Sequence, residues 1–203
     1  MTPKEFLDVI HACEGLKNVT RHCDTSTGRR ESVAEHCWRL SLMALLLRGQ
    51  LPEIDADRTV ALCLVHDLGE RFTGDVPAFQ KTETDRERER EAYRAWIGGL
   101  PEPVCAQMTE LREELELGTS PEAKLCKALD RLEALIQHNE ADIASWLPLE
   151  YELQQTYGLS DCAFDPWLRE LRQAVLDESL EKIAEAEKTG PEFHICRKNM
   201  KKS

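Results

Sequence analysis

Apolar residues recur three and four positions apart along most of the chain, and short clusters of Gly, Pro, Asn or Asp interrupt the recurrence. This spacing predicts helices over 3–15, 31–49, 55–71, 84–98, 101–116, 121–139, 143–157 and 166–188. Several starts are marked. Thr2-Pro3-Lys4-Glu5 supplies an N-cap, a proline for the first turn and a capping-box glutamate, and Ser120-Pro121-Glu122 and Asp165-Pro166 repeat the cap-then-proline order. No stretch of useful length alternates apolar and polar residues with β-branched and aromatic enrichment, so no sheet is expected. The predicted class is all-α.

Within this pattern some faces carry more information than others. Val33, His36, Leu40, Met43, Ala44 and Leu47 share one helical face, which turns His36 toward the core. Trp146, Leu149, Leu153 and Tyr157, then Trp167, Leu168, Leu171, Val175 and Leu180, have amphipathic spacing that suits either the chain's own core or a second copy. The run from Lys81 to Arg94 mixes acids and bases and reads as a solvated helix face without chemistry. At 203 residues the chain suits a single domain over 1–190 that buries a real core. The basic, aperiodic remainder at 191–203 reads as a frayed tail.

Charge and cysteine usage narrow the function classes. A formal charge of −12 argues against a duplex nucleic-acid surface, which needs clustered Lys and Arg. A small anionic substrate stays open provided a local positive pocket receives it. The eight cysteines include no CxxC pair, which fits reduced thiols better than a disulfide framework. The first ten residues have no basic segment leading into an apolar one, and LSLMALLL at 40–47 is too short to span a bilayer. No membrane partner is expected, and the expected location is the cytoplasm.

The candidate chemistry starts at His66-Asp67, late in the apolar segment ALCLVHDLGE. An imidazole and a carboxylate at a buried helix end are costly unless paired or coordinating, and a divalent cation would compensate both. A satisfied core histidine beside a helix-terminal aspartate is the plainer alternative. Asp130 interrupts the apolar pattern of AKLCKALDRLEALI, where an ion pair with Lys127 or Arg131 would also account for it. Glu70 lies four residues after His66 and three after Asp67, close enough to share a helical face with them. An acid in a last helical turn opposes the helix dipole, which makes Glu70 unexpected there.

Taken in order, ESVAEH at 31–36, LVHDLGE at 64–70, TGD at 73–75 and KALDRLE at 127–133 resemble the HD superfamily, and within it the small 5′-deoxynucleotidase-like branch. The likeness extends from the region of Arg21 to that of Asp142, about two-thirds of the chain. It implies an orthogonal helical bundle whose core binds a divalent ion through His36, His66, Asp67 and Asp130. No histidine stands between His66 and His138, so the additional histidines of binuclear members are missing and one metal is expected. Two nitrogens and two carboxylates suit Mn, Co, Fe, Ni or Zn better than Mg or Ca.

The resemblance further implies a metal-activated water attacking a small phosphomonoester, foremost a deoxynucleoside 5′-monophosphate. Glu70 would act as general acid or base, and Asp75 would position substrate or water. Arg21 matches a phosphate- or sugar-binding arginine of the branch. Lys81 is a substrate-binding candidate by nearness in sequence alone, with a solvated surface role as the ordinary expectation. Where the branch carries a tryptophan after the arginine, this chain has His22, which is a substrate contact, a neighbour of the metal site or a loop residue. Arg29 and Arg30 are further phosphate candidates, and the family resemblance favours a homodimer. Two other readings use the same scaffold: a non-enzymatic nucleotide or metal sensor, and an iron oxygenase with a second metal.

Overall fold

The helices start where side chains can satisfy the first free backbone N–H groups. In a computed structural model describing residues 1–189, Thr2, Ser32 and Thr82 close full capping boxes with Glu5, Glu35 and Asp85. They open α1 (Pro3–Cys13), α2 (Val33–Leu46) and α5 (Glu83–Ile97). Asp55 caps α3 (Ala56–Val65) by accepting from the backbone of Asp57 and Arg58. The remaining helices are α4 (Glu70–Thr73), α6 (Val104–Leu117), α7 (Pro121–Glu140), α8 (Glu150–Thr156), α9 (Leu159–Cys162) and α10 (Pro166–Thr189). The all-α class holds. The expected tail at 191–203 lies outside the described residues.

Three expectations need correction. A two-stranded sheet is present, β1 (Thr20–Asp24) with β2 (Arg30–Ser32). Strands this short give no alternation to read, and the turn joining them rests on Gly28 at φ +78°, a conformation that costs any other residue more. The helix expected over 55–71 ends at Val65, because Leu68 N–H bonds back to Val65 O at 3.2 Å and Glu70 N–H to Asp67 O at 3.0 Å, tightening the backbone into a turn. The helix expected over 143–157 is a single 3₁₀ turn at Ile143–Ser145 followed by α8. Pro148 has no N–H to continue a helix, and Leu147 N–H is taken by the Glu150 carboxylate at 2.6 Å.

The described residues form two compact units, 1–22 with 30–130, and 23–29 with 131–189. In the first, α2 lies against α3, α3 against α6, and α5 against α4 and α6. Val33, Leu40, Ala44, Leu62, Tyr93 and Leu111 are buried there, and Tyr93 donates its hydroxyl to Val65 O at 3.1 Å at the end of α3. No disulfide joins the seven cysteines of the described residues.

In the second unit α8 and α9 pack on α10. The buried face of α10 runs through Leu168, Arg172, Val175 and Ser179, so two polar side chains sit in a stripe read from the sequence as wholly apolar, while Leu180 is exposed. Arg172 caps α8 from the side, its Nε donating to Tyr157 O at 2.9 Å and its Nη2 to Gln154 O at 2.7 Å. Replacing it strands those carbonyls in a buried setting. Arg172→Met is therefore expected to lower unfolding free energy by about 3 kcal/mol, read from the urea midpoint at unchanged slope.

Candidate metal centre

Three parts of the first unit, α2, the end of α3 with the turn after it, and the α7 segment at Asp130, deliver polar groups to a common point. The capping box at Ser32 sets the start of α2, so that His36 falls on the same face as Val33 and Leu40, fully buried. The end of α3 brings His66 to the helix C-cap, and the following turn carries Asp67. α7 contributes Asp130. His36 Nε2 lies 3.3 Å from His66 Nε2, 3.8 Å from Asp67 Oδ2 and 3.3 Å from Asp130 Oδ1, and His66 Nε2 lies 3.0 Å from Asp67 Oδ2. Donor atoms of His36, His66 and Asp67 all fall within 4.8 Å of one another, a spacing that can hold a metal ion.

The chemistry of this set fits a cation. His66 Nδ1 is 2.8 Å from Cys63 O, and a carbonyl oxygen only accepts, so Nδ1 carries a proton and Nε2 is the nitrogen directed at Asp67 and His36. Two imidazole nitrogens and a carboxylate oxygen at these distances call for positive charge among them, a proton or a metal ion. The electrostatics agree. Burial works against charge on His66, yet the neighbouring Asp67 carboxylate and Cys37 thiol hold its pKa well above the ordinary imidazole range. Burial likewise opposes the Asp67 carboxylate, yet His66 and His36 hold that carboxyl below the ordinary range.

Glu70 is not in the last turn of a long helix, as the periodicity suggested, but at the first position of α4. The objection drawn from the dipole at a last helical turn therefore does not apply. It is buried, at 3% exposure. Its Oε1 accepts from Lys81 Nζ at 3.2 Å, whereas its Oε2 has no hydrogen-bond partner. Burial, with the Asp67 and Asp75 carboxylates, pushes the Glu70 carboxyl up to about 9. These surroundings favour the protonated carboxyl over the carboxylate, and Oε2 is the atom free to carry the proton.

Asp75 follows Gly74, whose φ of +81° ends α4. Burial raises the Asp75 carboxyl above its usual range, while Arg21, and less strongly His22, pull it down. Arg21 is steadied by Glu31, Nε to Oε2 at 3.3 Å. His22 meets the ring of Phe79 edge-on, with centroids 5.3 Å apart. Arg21, His22, Asp75 and Phe79 thus border the same region as the histidine–aspartate cluster. Arg29 and Arg30 are exposed. Neither Glu31 nor Phe79 stood out in the sequence, although Glu31 opens the ESVAEH segment.

Lys81 corrects the reading of its region as a solvated surface. Its ammonium is mostly buried between two acids, Glu70 at 3.2 Å and Glu89 at 2.6 Å. Burial opposes its charge, yet these acidic neighbours hold its pKa above the ordinary lysine range. Glu89 is buried too, so the run from Lys81 to Arg94 is not solvated throughout.

A family model described as HD domain matches residues 13–172. The chain is 40% identical over 115 residues to "5′-deoxynucleotidase HDDC2" of Homo sapiens, an alignment that spans only about half the length of either protein, 55% of each. It is 31% identical over 162 residues to the protein of the same name from Xenopus laevis, covering 78% of this chain and 79% of the relative. Among solved structures it resembles a predicted metal-dependent phosphohydrolase from Magnetospirillum magnetotacticum MS-1, with a TM-score of 0.76 and 26% identity over 88% of this chain and 93% of that one. A conserved hypothetical protein from Pyrococcus furiosus gives a TM-score of 0.67 at 28% identity, over 83% and 98%. With a family match over most of its length, the chain belongs to the HD-domain family.

Proposed function

We propose that this protein is a metal-dependent phosphohydrolase that removes phosphate from a deoxynucleoside 5′-monophosphate. The observation that carries the reading is the convergence of His36, His66, Asp67 and Asp130 beside a buried Glu70 whose Oε2 has no hydrogen-bond partner. The nucleotide preference draws on the names of the relatives. His36, His66, Asp67 and Asp130 would hold one divalent transition ion, of the Mn, Co, Fe, Ni or Zn group. Such an ion acts as a Lewis acid, polarising a phosphoryl oxygen and making water nucleophilic at neutral pH.

The chain's own groups supply the remainder. Arg21, oriented by Glu31, faces the phosphate and offsets charge on its equatorial oxygens. Glu70 donates its proton from Oε2 to the leaving sugar oxygen, and Lys81 holds Oε1 so that the free oxygen keeps one direction. Asp75 accepts a hydrogen bond from the attacking water or the sugar. His22 and Phe79 border the sugar and base, in place of the tryptophan of related nucleotidases.

Phosphate release from a panel of 5′-mononucleotides, deoxy and ribo, and of simple phosphate esters tests this reading with protein loaded with each ion in turn. Release from the deoxynucleotides is expected. Silence across the whole panel would overturn it.

No helix among the described residues is long and apolar enough to cross a membrane, and we place the enzyme in the cytoplasm as a single domain over 1–190 acting on small anions. We further propose a homodimer. Trp38, Leu42, Leu45 and Leu46 form a continuous exposed stripe on α2, and Trp38 is 63% exposed. Sedimentation velocity should give a dimer that Trp38→Glu converts to monomer. A wild-type monomer at every concentration would contradict it.

A further inference from the structure

We propose that Glu89 is a positioning residue for the reaction: through Lys81 it fixes the carboxyl of Glu70 from a helix that otherwise takes no part in the site. The inference rests on the reading of Glu70 as proton donor.

Glu89, Lys81 and Glu70 form a line of carboxylate, ammonium and carboxyl, with Lys81 Nζ 2.6 Å from Glu89 Oε2 and 3.2 Å from Glu70 Oε1. Both acids are buried, and the lysine side chain is only 16% exposed. A lysine side chain has four rotatable bonds, so one contact to Glu70 would leave its ammonium free to swing. The shorter contact to Glu89 anchors it.

A second observation ties Glu89 to the same backbone. A Cβ on Gly69 would stand 2.9 Å from Glu89 Cγ and 3.3 Å from its Oε1. Glu89 therefore lies directly on the peptide preceding Glu70, and only glycine at 69 leaves room for it. Gly69 is at φ −62°, so its backbone conformation does not itself demand glycine. The requirement comes from the close approach.

The clasp touches Glu70 on one side only. Oε1 is held and Oε2 has no partner, the arrangement a carboxyl needs in order to be fixed in direction and still able to release a proton. Three buried ionisable groups are an expensive way to join two helices when apolar residues would pack as well. Holding a proton donor in place accounts for their use.

Glu89→Gln tests the proposal, with Glu91→Gln, an exposed acid on the same helix, as control. Glu89→Gln should lower kcat about 10- to 100-fold while KM and metal content stay within about twofold, as losses of supporting contacts do. Gly69→Ala, which displaces Glu89, should reproduce this loss of kcat at unchanged KM, and Glu91→Gln should leave both unchanged. An active wild type with Glu89→Gln matching its kcat would overturn the positioning role and leave the proposed activity standing. Absence of phosphate release from the wild type would instead sink the activity. The clasp is then read from urea midpoints of Glu70→Gln, Glu89→Gln and the double variant, where non-additive shifts support it and additive shifts overturn it.

Discussion

Replacing His66 with alanine is expected to abolish phosphate release, by about 10³-fold or more in kcat, and to take bound metal from near one ion per chain to near none. The reasoning is geometric. His66 Nε2 stands within 3.3 Å of both His36 Nε2 and Asp67 Oδ2, so its loss removes the donor shared by two neighbours. The fold should survive, because the contacts given up are those within the cluster, a 3.9 Å approach to Cys37 Sγ and the hydrogen bond to Cys63 O near the end of α3. Metal analysis and a thermal melt on the same preparation separate the two effects. A variant that retains both metal and turnover would show that the cluster is structural.

Glu70→Gln is expected to lower kcat by about 10²- to 10⁴-fold with metal content unchanged. Glutamine can still accept from Lys81 at one oxygen but has no proton to release from the other position. The pH dependence follows from the same group. An acid serves while protonated, so turnover that depends on Glu70 falls as pH rises through its pKa. Burial and the Asp67 and Asp75 carboxylates raise that pKa to about 9 from an ordinary value of 4.5. The wild type should accordingly stay active across neutral pH and lose kcat on the alkaline side, and Glu70→Gln should lack that limb. A wild-type profile losing activity near the ordinary carboxylate range would argue against Glu70 as the acid.

The sequence was most legible where one residue carried both a period and a chemical oddity. His36 could be placed inside because it shares a face with Val33, Leu40, Ala44 and Leu47, all buried as expected. His66-Asp67 announced itself by interrupting an apolar segment. Asp130 was readable only in company with the other motifs, since an aspartate between Lys127 and Arg131 has an ordinary explanation nearby.

Other features were hidden for physical reasons. The break after Val65 leaves the apolar pattern intact, because the turn costs less than one helical repeat, and so Glu70 was assigned to the wrong helix end. The β1–β2 hairpin is too short to alternate. Glu89 lay inside a run of charges that looks uniformly solvated. Yet the buried residues of α5 are Glu89, Tyr93 and Ile97, spaced by four, so extending the apolar register back one turn from Tyr93 points to the one acid that faces inward. Arg172 and Ser179 escaped notice in the same way: each occupies an inward position of α10 that a purely apolar stripe passes over.

The most direct measurement is anomalous diffraction from crystals grown with a manganese salt. The account predicts a single strong peak bonded by His36 Nε2, His66 Nε2 and oxygens of Asp67 and Asp130, with the Glu70 carboxyl nearby. A peak elsewhere, or none in well-ordered crystals at saturating manganese, would contradict it.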